Sequence, residues 1–131
     1  MADAEIPDDV LYSEDDRWIK IEEGTALIGI THHAQKELGD VIFVELPEIN
    51  VDCDAGDEIG TIESIKTTTD IDAPVSGRIE EVNERLERKP ELLNKDPYGL
   101  GWIARIVIKD PREIEDLMSP DDYAQALDER E

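Results

Sequence analysis

The sequence has little from which a catalytic or metal centre could be built. Its 131 residues include one cysteine and two histidines, so an internal disulfide is excluded. The adjacent residues His32 and His33 point in different directions on a helix and match no usual zinc-ligand spacing. Motifs of serine hydrolases, zinc proteases and phosphate-binding loops are missing from the sequence. These absences disfavour an enzyme, and Cys53, in an acidic stretch predicted as a polar loop, is not expected to be a reactive thiolate.

Aromatic and basic residues are also scarce. Aromatics make up 5% of the chain, so the core should consist of Ile, Val and Leu. Thirteen Lys and Arg face 35 Asp and Glu, giving a formal net charge of −22. Such a charge repels nucleic acid and anionic lipid, and it either attracts basic protein surfaces or reflects adaptation to high salt. We therefore expect neither nucleic acid nor a membrane as a partner.

Long apolar runs are absent as well. No stretch of the sequence is apolar enough over the length needed to span a bilayer. The first residues, Met1-Ala2-Asp3-Ala4-Glu5, lack the apolar segment of a signal peptide. The expected location is the cytoplasm.

Short β-favouring segments dominate what is present. Alternating or β-branched patterns predict strands at 17–22, 25–30, 41–46, 78–82 and 102–108. About seven or eight short strands with small peripheral helices suit a compact β-sandwich or barrel. The predicted organisation is an acidic tail at 1–10, a β domain at 11–110 and a C-terminal helical extension at 111–131.

Helix signals mark three places between and after these strands. Thr31 is predicted to cap a helix over 32–38 that Gly39 ends. Asp110-Pro111, with Glu113 three residues after the cap, predicts a capping box and a helix start. Ser119-Pro120 repeats that start signal. The stretch 83–94 is predicted as a loop with one helical turn, and 1–16 as a tail that is partly disordered at its start.

One lysine falls near the tip of a predicted hairpin. Ile- and Thr-containing segments at 57–62 and 71–79 flank the stretch 63–70, which contains Lys66. A lone lysine at a turn is usually no more than a solvated side chain. An unhindered amine at a tip is nevertheless easily reached by a modifying enzyme. An acyl group attached there would swing freely and be concentrated at docked partners.

The residues around this lysine resemble a known family. The run Glu63-Ser64-Ile65-Lys66, followed by Asp70 and by Ala73-Pro74-Val75-Ser76-Gly77, is similar to the lipoylation region of glycine cleavage system H proteins. Further similarity lies at Gly29–Thr31, Ala34–Gln35, Leu38–Asp40, Val44–Pro47, Val82–Asn83, Pro90–Leu92, Asn94, Asp96–Tyr98, Gly101–Trp102 and Tyr123. The resemblance covers roughly residues 10–127.

The resemblance implies a mostly β, lipoyl-domain-like barrel-sandwich hybrid with short peripheral helices and a C-terminal helical extension. It implies that Lys66 carries lipoate in amide linkage, with Glu63, Ser64 and Asp70 forming the motif around it. The expected protein is a monomeric, non-catalytic carrier. A lipoate ligase or lipoyltransferase would attach the arm. The arm would then carry an aminomethyl group between glycine decarboxylase, aminomethyltransferase and dihydrolipoyl dehydrogenase.

One departure from this family's pattern bears on function. The family's His-Glu-Trp corresponds to Asp16-Arg17-Trp18, which makes these three residues candidates for the cleft that holds the cargo. An arginine in place of the glutamate would repel a protonated aminomethyl amine and suit an anionic cargo. Either another carboxylate such as Asp16 substitutes, or the cargo differs. The alternative function is a lipoate-binding sulfur carrier that works with a heterodisulfide-reductase-like complex in sulfur oxidation. A third hypothesis is an unmodified docking partner.

Overall fold

Two antiparallel β-sheets form most of the molecule. The structure, a computed structural model, describes residues 6–130. The predicted disorder at the start of the acidic tail falls on residues 1–5, outside the described residues. A six-stranded sheet has the order β1-β2-β3-β9-β8-β5, and a three-stranded sheet has the order β4-β6-β7. The strands are β1 (Leu11–Tyr12), β2 (Arg17–Glu22), β3 (Thr25–Ile30), β4 (Val41–Glu45), β5 (Asp52–Cys53), β6 (Glu58–Ser64), β7 (Thr68–Asp72), β8 (Gly77–Val82) and β9 (Ala104–Ile108).

Short helices lie at the edges of these sheets, which confirms the predicted mostly β fold. They are α1 (His32–Leu38), α2 (Arg85–Arg88), α3 (Leu92–Lys95), a 3₁₀ turn at Pro111–Asp116, and α4 (Pro120–Arg130). Among the described residues, no helix is both long and apolar enough to cross a membrane.

Local sequence signals correctly predict the first hairpin and the first helix. Residues Glu23 and Gly24 both have positive φ and form a two-residue turn, whose twist matches that of β2 and β3. The Thr31 side chain accepts a hydrogen bond from the Ala34 amide at the start of α1. Gly39, at φ 75°, ends that helix.

The main core lies between the two sheets and is aliphatic, as the composition predicts. Ile19 and Ile28 of the larger sheet and Ile62 and Ile71 of the smaller one are fully buried in one cluster. Burial of such a side chain stabilises the fold by about 1.5–3 kcal/mol. This cluster therefore holds the small sheet, which carries the lysine hairpin, against the larger sheet.

Two segments that the sequence predicts as polar or tail-like are buried instead. Val10 and Tyr12 precede β2 and contribute to a second core cluster. Cys53 lies in strand β5 rather than in a polar loop, and its side chain is buried. Burial is the main reason that the pKa of the thiol is raised, with the neighbouring aspartates adding to it. The raised pKa agrees with the expectation that Cys53 is not a reactive thiolate, although burial contributes more to it than the acidic neighbours do.

Two further predictions about helices need correction. The stretch predicted as a loop at 83–94 contains the α2 helix as well as the expected later turn. The segment after Asp110 is a 3₁₀ turn, and Glu113 does not close a capping box. Its carboxylate instead accepts hydrogen bonds from the Ser76 amide at 2.7 Å and the Ser76 hydroxyl at 2.8 Å. This contact fixes the C-terminal segment to the turn before β8.

A second core cluster holds α4 in place. The rings of Tyr12 and Tyr123 stack with centroids 4.5 Å apart, and both side chains are fully buried. The Tyr12 hydroxyl donates to the Pro7 carbonyl at 2.6 Å. Burial raises the pKa of both phenols well above their ordinary range, and nearby aspartates add to this. Both tyrosines therefore stay protonated in the folded protein at alkaline pH values at which the same phenols would lose their protons in an unfolded chain.

This pair predicts a steep loss of stability in alkali. Above about pH 10 the unfolded chain releases two phenol protons that the folded chain keeps, so stability present below that pH falls as the pH rises. We expect the free energy of unfolding to drop by about 2.7 kcal/mol per pH unit, measured by urea denaturation. Tyr12→Phe and Tyr123→Phe should each remove about half of that slope. An unchanged slope in both variants would show that neither phenol is responsible.

Candidate functional site

The lysine hairpin is formed by β6 and β7, and hydrogen bonds to the buried Ser64 side chain fix the backbone at its tip. The Ser64 hydroxyl oxygen accepts hydrogen bonds from the backbone amides of Lys66 and Thr67, both at 3.2 Å. The Ser64 amide donates to the Thr67 carbonyl at 2.8 Å. On the outer side, the Ile65 amide donates to the Asp40 carbonyl at 3.0 Å. The tip backbone is thus fixed, while the Lys66 side chain is exposed.

Gly39 gives the Lys66 side chain its path along the surface. A Cβ atom at position 39 would lie 3.3 Å from Lys66 Cε, closer than such atoms comfortably approach. The backbone of Gly39 also has positive φ, which side chains disfavour. The end of α1 therefore leaves the methylene stem of Lys66 free to lie against the protein.

An open acidic cavity of about 430 Å³ lies along the β7 edge, directly after Lys66 in the chain. Because residues on α1, β7 and the segment before β2 share it, the cavity exists only in the folded protein. Its lining consists of Asp15, Asp16, Arg17, Ala34, Glu37, Leu38, Thr67, Thr68, Thr69, Asp70 and Asp72. Among these described residues, five are carboxylates and one is a cation.

That cation, Arg17, is a structural link rather than an open charge. Its side chain is 7% exposed. One terminal guanidinium nitrogen donates to the Asp70 carbonyl at 2.7 Å, and the other terminal nitrogen donates to the Asp15 carbonyl at 2.8 Å. The buried Nε has no hydrogen-bond partner among the described residues. Asp70 is in β7, so this contact joins the larger sheet to the lysine hairpin. Burial lowers the pKa of Arg17, and the charge of Asp72 acts in the opposite direction.

Asp16 connects the cavity to the C-terminal helix. Its carboxylate accepts from the Tyr123 hydroxyl at 2.9 Å and from the Arg130 guanidinium at 2.9 and 3.1 Å. Since the phenol proton goes to Asp16, the Thr31 hydroxyl must donate to the Tyr123 oxygen, 2.8 Å away. This chain of hydrogen bonds joins α1 and α4 at the rim of the cavity and leaves Asp16 already paired.

The remaining predicted site residues lie in different surroundings. Trp18 is outside the cavity lining: its ring is buried beneath Gly29, and its indole nitrogen donates to the Pro97 carbonyl at 2.9 Å. Glu63 is exposed on β6. The Asp70 side chain lies beside Glu58 and raises the pKa of that carboxyl. The structure thus brings Asp16, Arg17 and Asp70 together and separates Trp18 from them.

One group of side chains near the cavity has the chemistry of metal ligands. Donor atoms of Asp16, His33 and Glu37 all lie within 4.8 Å of one another. His33 Nε2 is 3.3 Å from a Glu37 oxygen, which is an ordinary helical i,i+4 contact. Because the Asp16 carboxylate is engaged by Arg130 and Tyr123, a cation would have to displace the guanidinium.

Several residues of the site are missed by sequence reasoning. Asp15, Glu37 and Asp72 contribute carboxylates to the cavity, and Thr69 contributes to its wall. In an acidic chain these carboxylates carry no distinguishing pattern. Gly39 is the one missed residue with a recognisable signal in the sequence. A glycine that ends a helix can also mark a place where another part of the chain approaches the backbone closely.

Comparison with known proteins finds similarity to members of one family. A protein-family profile described as glycine cleavage H-protein matches residues 10–130. A glycine cleavage system H protein of Rubrobacter xylanophilus is 51% identical over 128 residues, covering 98% of this chain and 99% of that protein. One from Listeria innocua is 48% identical over 123 residues, covering 94% of this chain and 98% of that protein.

A solved structure is similar as well. The crystal structure of a glycine cleavage system H protein from Mycobacterium marinum has a TM-score of 0.81 and 36% identity to this chain. The match covers 92% of this chain and 98% of that one. This likeness confirms the predicted lipoyl-domain-like barrel-sandwich hybrid with a C-terminal helix.

The hydrogen bonds of Arg17 predict that removal of its guanidinium lowers the free energy of unfolding. Arg17→Met deletes two hydrogen bonds and leaves Asp15 and Asp72 without the cation between them, so we expect a loss of about 2–3 kcal/mol in urea unfolding. Added salt should restore part of the loss by screening the carboxylates. Arg112→Met is the matched control, because that side chain is 85% exposed and pairs only locally with Asp110. Equal effects of the two substitutions would contradict the proposed link.

Proposed function

The chain belongs to the glycine cleavage H-protein family, and we propose that Lys66 is the residue through which it carries lipoate. The observation that carries this assignment is the exposed Lys66 amine at the tip of a hairpin whose backbone is fixed by Ser64. A fixed tip with a free side chain gives a ligase a defined surface to recognise and an amine to acylate. The function follows as a lipoyl carrier of the glycine cleavage system.

Acylation changes the electrostatics beside the cavity. A free lysine amine has a pKa of about 10.4 and is protonated at neutral pH, so the attaching enzyme must remove a proton. The resulting amide is neutral. Because the amide is neutral, it does not offset the charge of the neighbouring carboxylates. Their negative potential therefore acts on the group that the arm carries.

The cavity favours a cationic cargo. An aminomethyl group attached to a lipoyl sulfur carries a protonated amine at neutral pH. Five acidic residues line the cavity against one guanidinium, and one of the five, Asp16, is already paired with Arg130. Arg17 is 7% exposed and is flanked by Asp72 and Asp15, so its charge faces carboxylates rather than open cavity. Asp15, Glu37 and Asp72 offer the opposite charge that the missing family glutamate would have supplied.

The proposed partners follow from this role. A lipoate ligase or lipoyltransferase attaches the arm, and glycine decarboxylase, aminomethyltransferase and dihydrolipoyl dehydrogenase act on it in turn. The protein itself is a carrier component, and no step of the chemistry is assigned to its own side chains. The sulfur-oxidation alternative receives no support from the comparisons. An anionic persulfide would also face repulsion in the acidic cavity.

A lipoylation assay tests the attachment site. The chain would be incubated with a lipoate ligase, ATP and lipoate, then weighed intact. We expect one lipoyl group on the native chain and none on Lys66→Arg, which keeps the charge but offers no acylable amine under these conditions. Lys95→Arg, at another exposed lysine, should be modified normally. A lipoyl group on Lys66→Arg would disprove the assignment.

A loading assay tests the cargo. Lipoylated protein with its arm in the disulfide form would be offered glycine with the decarboxylase, because formation of the aminomethyl adduct reduces the disulfide. Protein with the arm reduced would be offered a sulfane-sulfur donor separately, and both products would be weighed intact. We expect an aminomethyl adduct in the first reaction, because the acidic cavity stabilises its protonated amine. Failure to form that adduct, together with a stable persulfide in the second reaction, would reverse the proposed cargo.

A further inference from the structure

The sheet that carries Lys66 has a second groove along its other edge. The strand order β4-β6-β7 places the arm cavity beside β7 and leaves β4 as the opposite edge. A groove of about 530 Å³ follows β4 and the segment after it. It is lined by Phe43, Val44, Glu45, Leu46, Pro47, Glu48, Ile49, Val82, Glu84 and Glu87. The two depressions therefore flank the same three strands.

A bulge in β4 exposes apolar side chains at this groove. Val41 pairs with Ser64 and Phe43 pairs with Glu63, so Ile42 is an extra residue and the register shifts. As a result, Ile42 and Phe43 are both more than half exposed, at 52% and 53%. Bulges re-aim side chains in this way and often do so at functional sites.

Phe43 and its apolar neighbours form the floor of the groove. Phe43 is the sole phenylalanine of the chain. Ile49, at 46% exposure, lines the same groove together with Leu46, Pro47 and Val82. Aromatic and aliphatic side chains gathered in one depression provide the apolar centre that protein interfaces use.

The rim of the groove is acidic. Glu45, Glu48, Glu84 and Glu87 line it, and no basic residue does so among the described residues. Helix α2 also carries two arginines, but neither lines the groove. Glu84 makes no side-chain cap to its own helix, so its carboxylate is not held by that contact. An apolar floor within such a rim complements an apolar anchor flanked by Lys or Arg.

The position of the groove relates it to the arm. Phe43 lies opposite Glu63, three residues before Lys66 in the same hairpin. A partner seated on β4 therefore contacts the sheet that carries the arm and leaves the cavity beside β7 open. Contact at one edge and arm movement at the other do not compete for surface.

We propose that this groove is the docking site for the enzymes that act on the Lys66 arm, each contributing an apolar side chain flanked by basic residues. The proposal rests on the carrier function proposed above. Phe43 is the central anchor contact, and the four glutamates accelerate encounter and select basic surfaces.

Steady-state kinetics with the complete lipoylated protein test the apolar contact. Lipoylated Phe43→Ser and Ile49→Ser would be supplied as substrates to the decarboxylase, the aminomethyltransferase and the dehydrogenase in separate assays. We expect KM for Phe43→Ser to rise about tenfold with each of the three enzymes, with kcat within about twofold, since a buried aromatic anchor dominates many interfaces. Ile21→Ser is the matched control, an exposed isoleucine on β2 outside the groove.

Salt dependence tests the acidic rim. The double variant Glu84→Gln, Glu87→Gln should weaken the dependence of kcat/KM on ionic strength, because fewer charges are then screened. Glu115→Gln with Glu129→Gln makes the same change in net charge on exposed residues outside the groove, and it should retain the native dependence.

The outcomes separate the groove from the carrier function. A KM for Phe43→Ser that stays at the native value with any of the three enzymes overturns the docking site as proposed and leaves the carrier function intact. No lipoylation or loading of the native chain overturns the carrier function itself. Loss of a dimer in Phe43→Ser, seen by sedimentation at unchanged KM, would mean that a second copy of this chain covers the groove, which also overturns the proposal.

Discussion

The hydrogen bond from the Arg17 guanidinium to the Asp70 carbonyl is the contact on which the site depends most directly. It crosses from the larger sheet to the edge of the small sheet and forms part of the cavity wall. A buried guanidinium requires neighbouring acceptors and negative charge, and Asp15, Asp16 and Asp72 supply them. The same carboxylates give the cavity its charge. One buried cation thus stabilises an acidic surface that would otherwise repel itself.

Much of this fold is local, and local features are predictable from the residues. The turn at Glu23-Gly24 and the α1 caps follow from backbone preferences that hold in any context. The Lys66 hairpin follows from β-branched residues on both sides of a short polar turn. The proposed attachment of lipoate to Lys66 does not follow from those preferences, because a lysine at a turn is ordinary. It follows from the resemblance of the wider sequence to a family.

The features that sequence reasoning missed depend on residues far apart in the chain. Arg17 and Asp70 are 53 positions apart, and Asp16 and Tyr123 are 107 apart. No periodicity connects such pairs, so the sequence predicts an Arg17 charge that faces the cargo, whereas its two terminal nitrogens donate to backbone carbonyls. The sequence predicts a loop at Cys53 for a similar reason, since two residues of strand leave almost no pattern. Its burial is decided by pairing with β8.

The bulge in β4 also bears on how the protein resists aggregation. An open three-stranded sheet has two free edges, and a regular edge can recruit strands from other molecules. Here β4 is interrupted at Ile42 and ends before Pro47, so its backbone cannot offer a long template. On the opposite edge, the Asp70 carbonyl is already occupied by Arg17. The protein can therefore expose an apolar strand without offering the regular edge that strand-to-strand association requires.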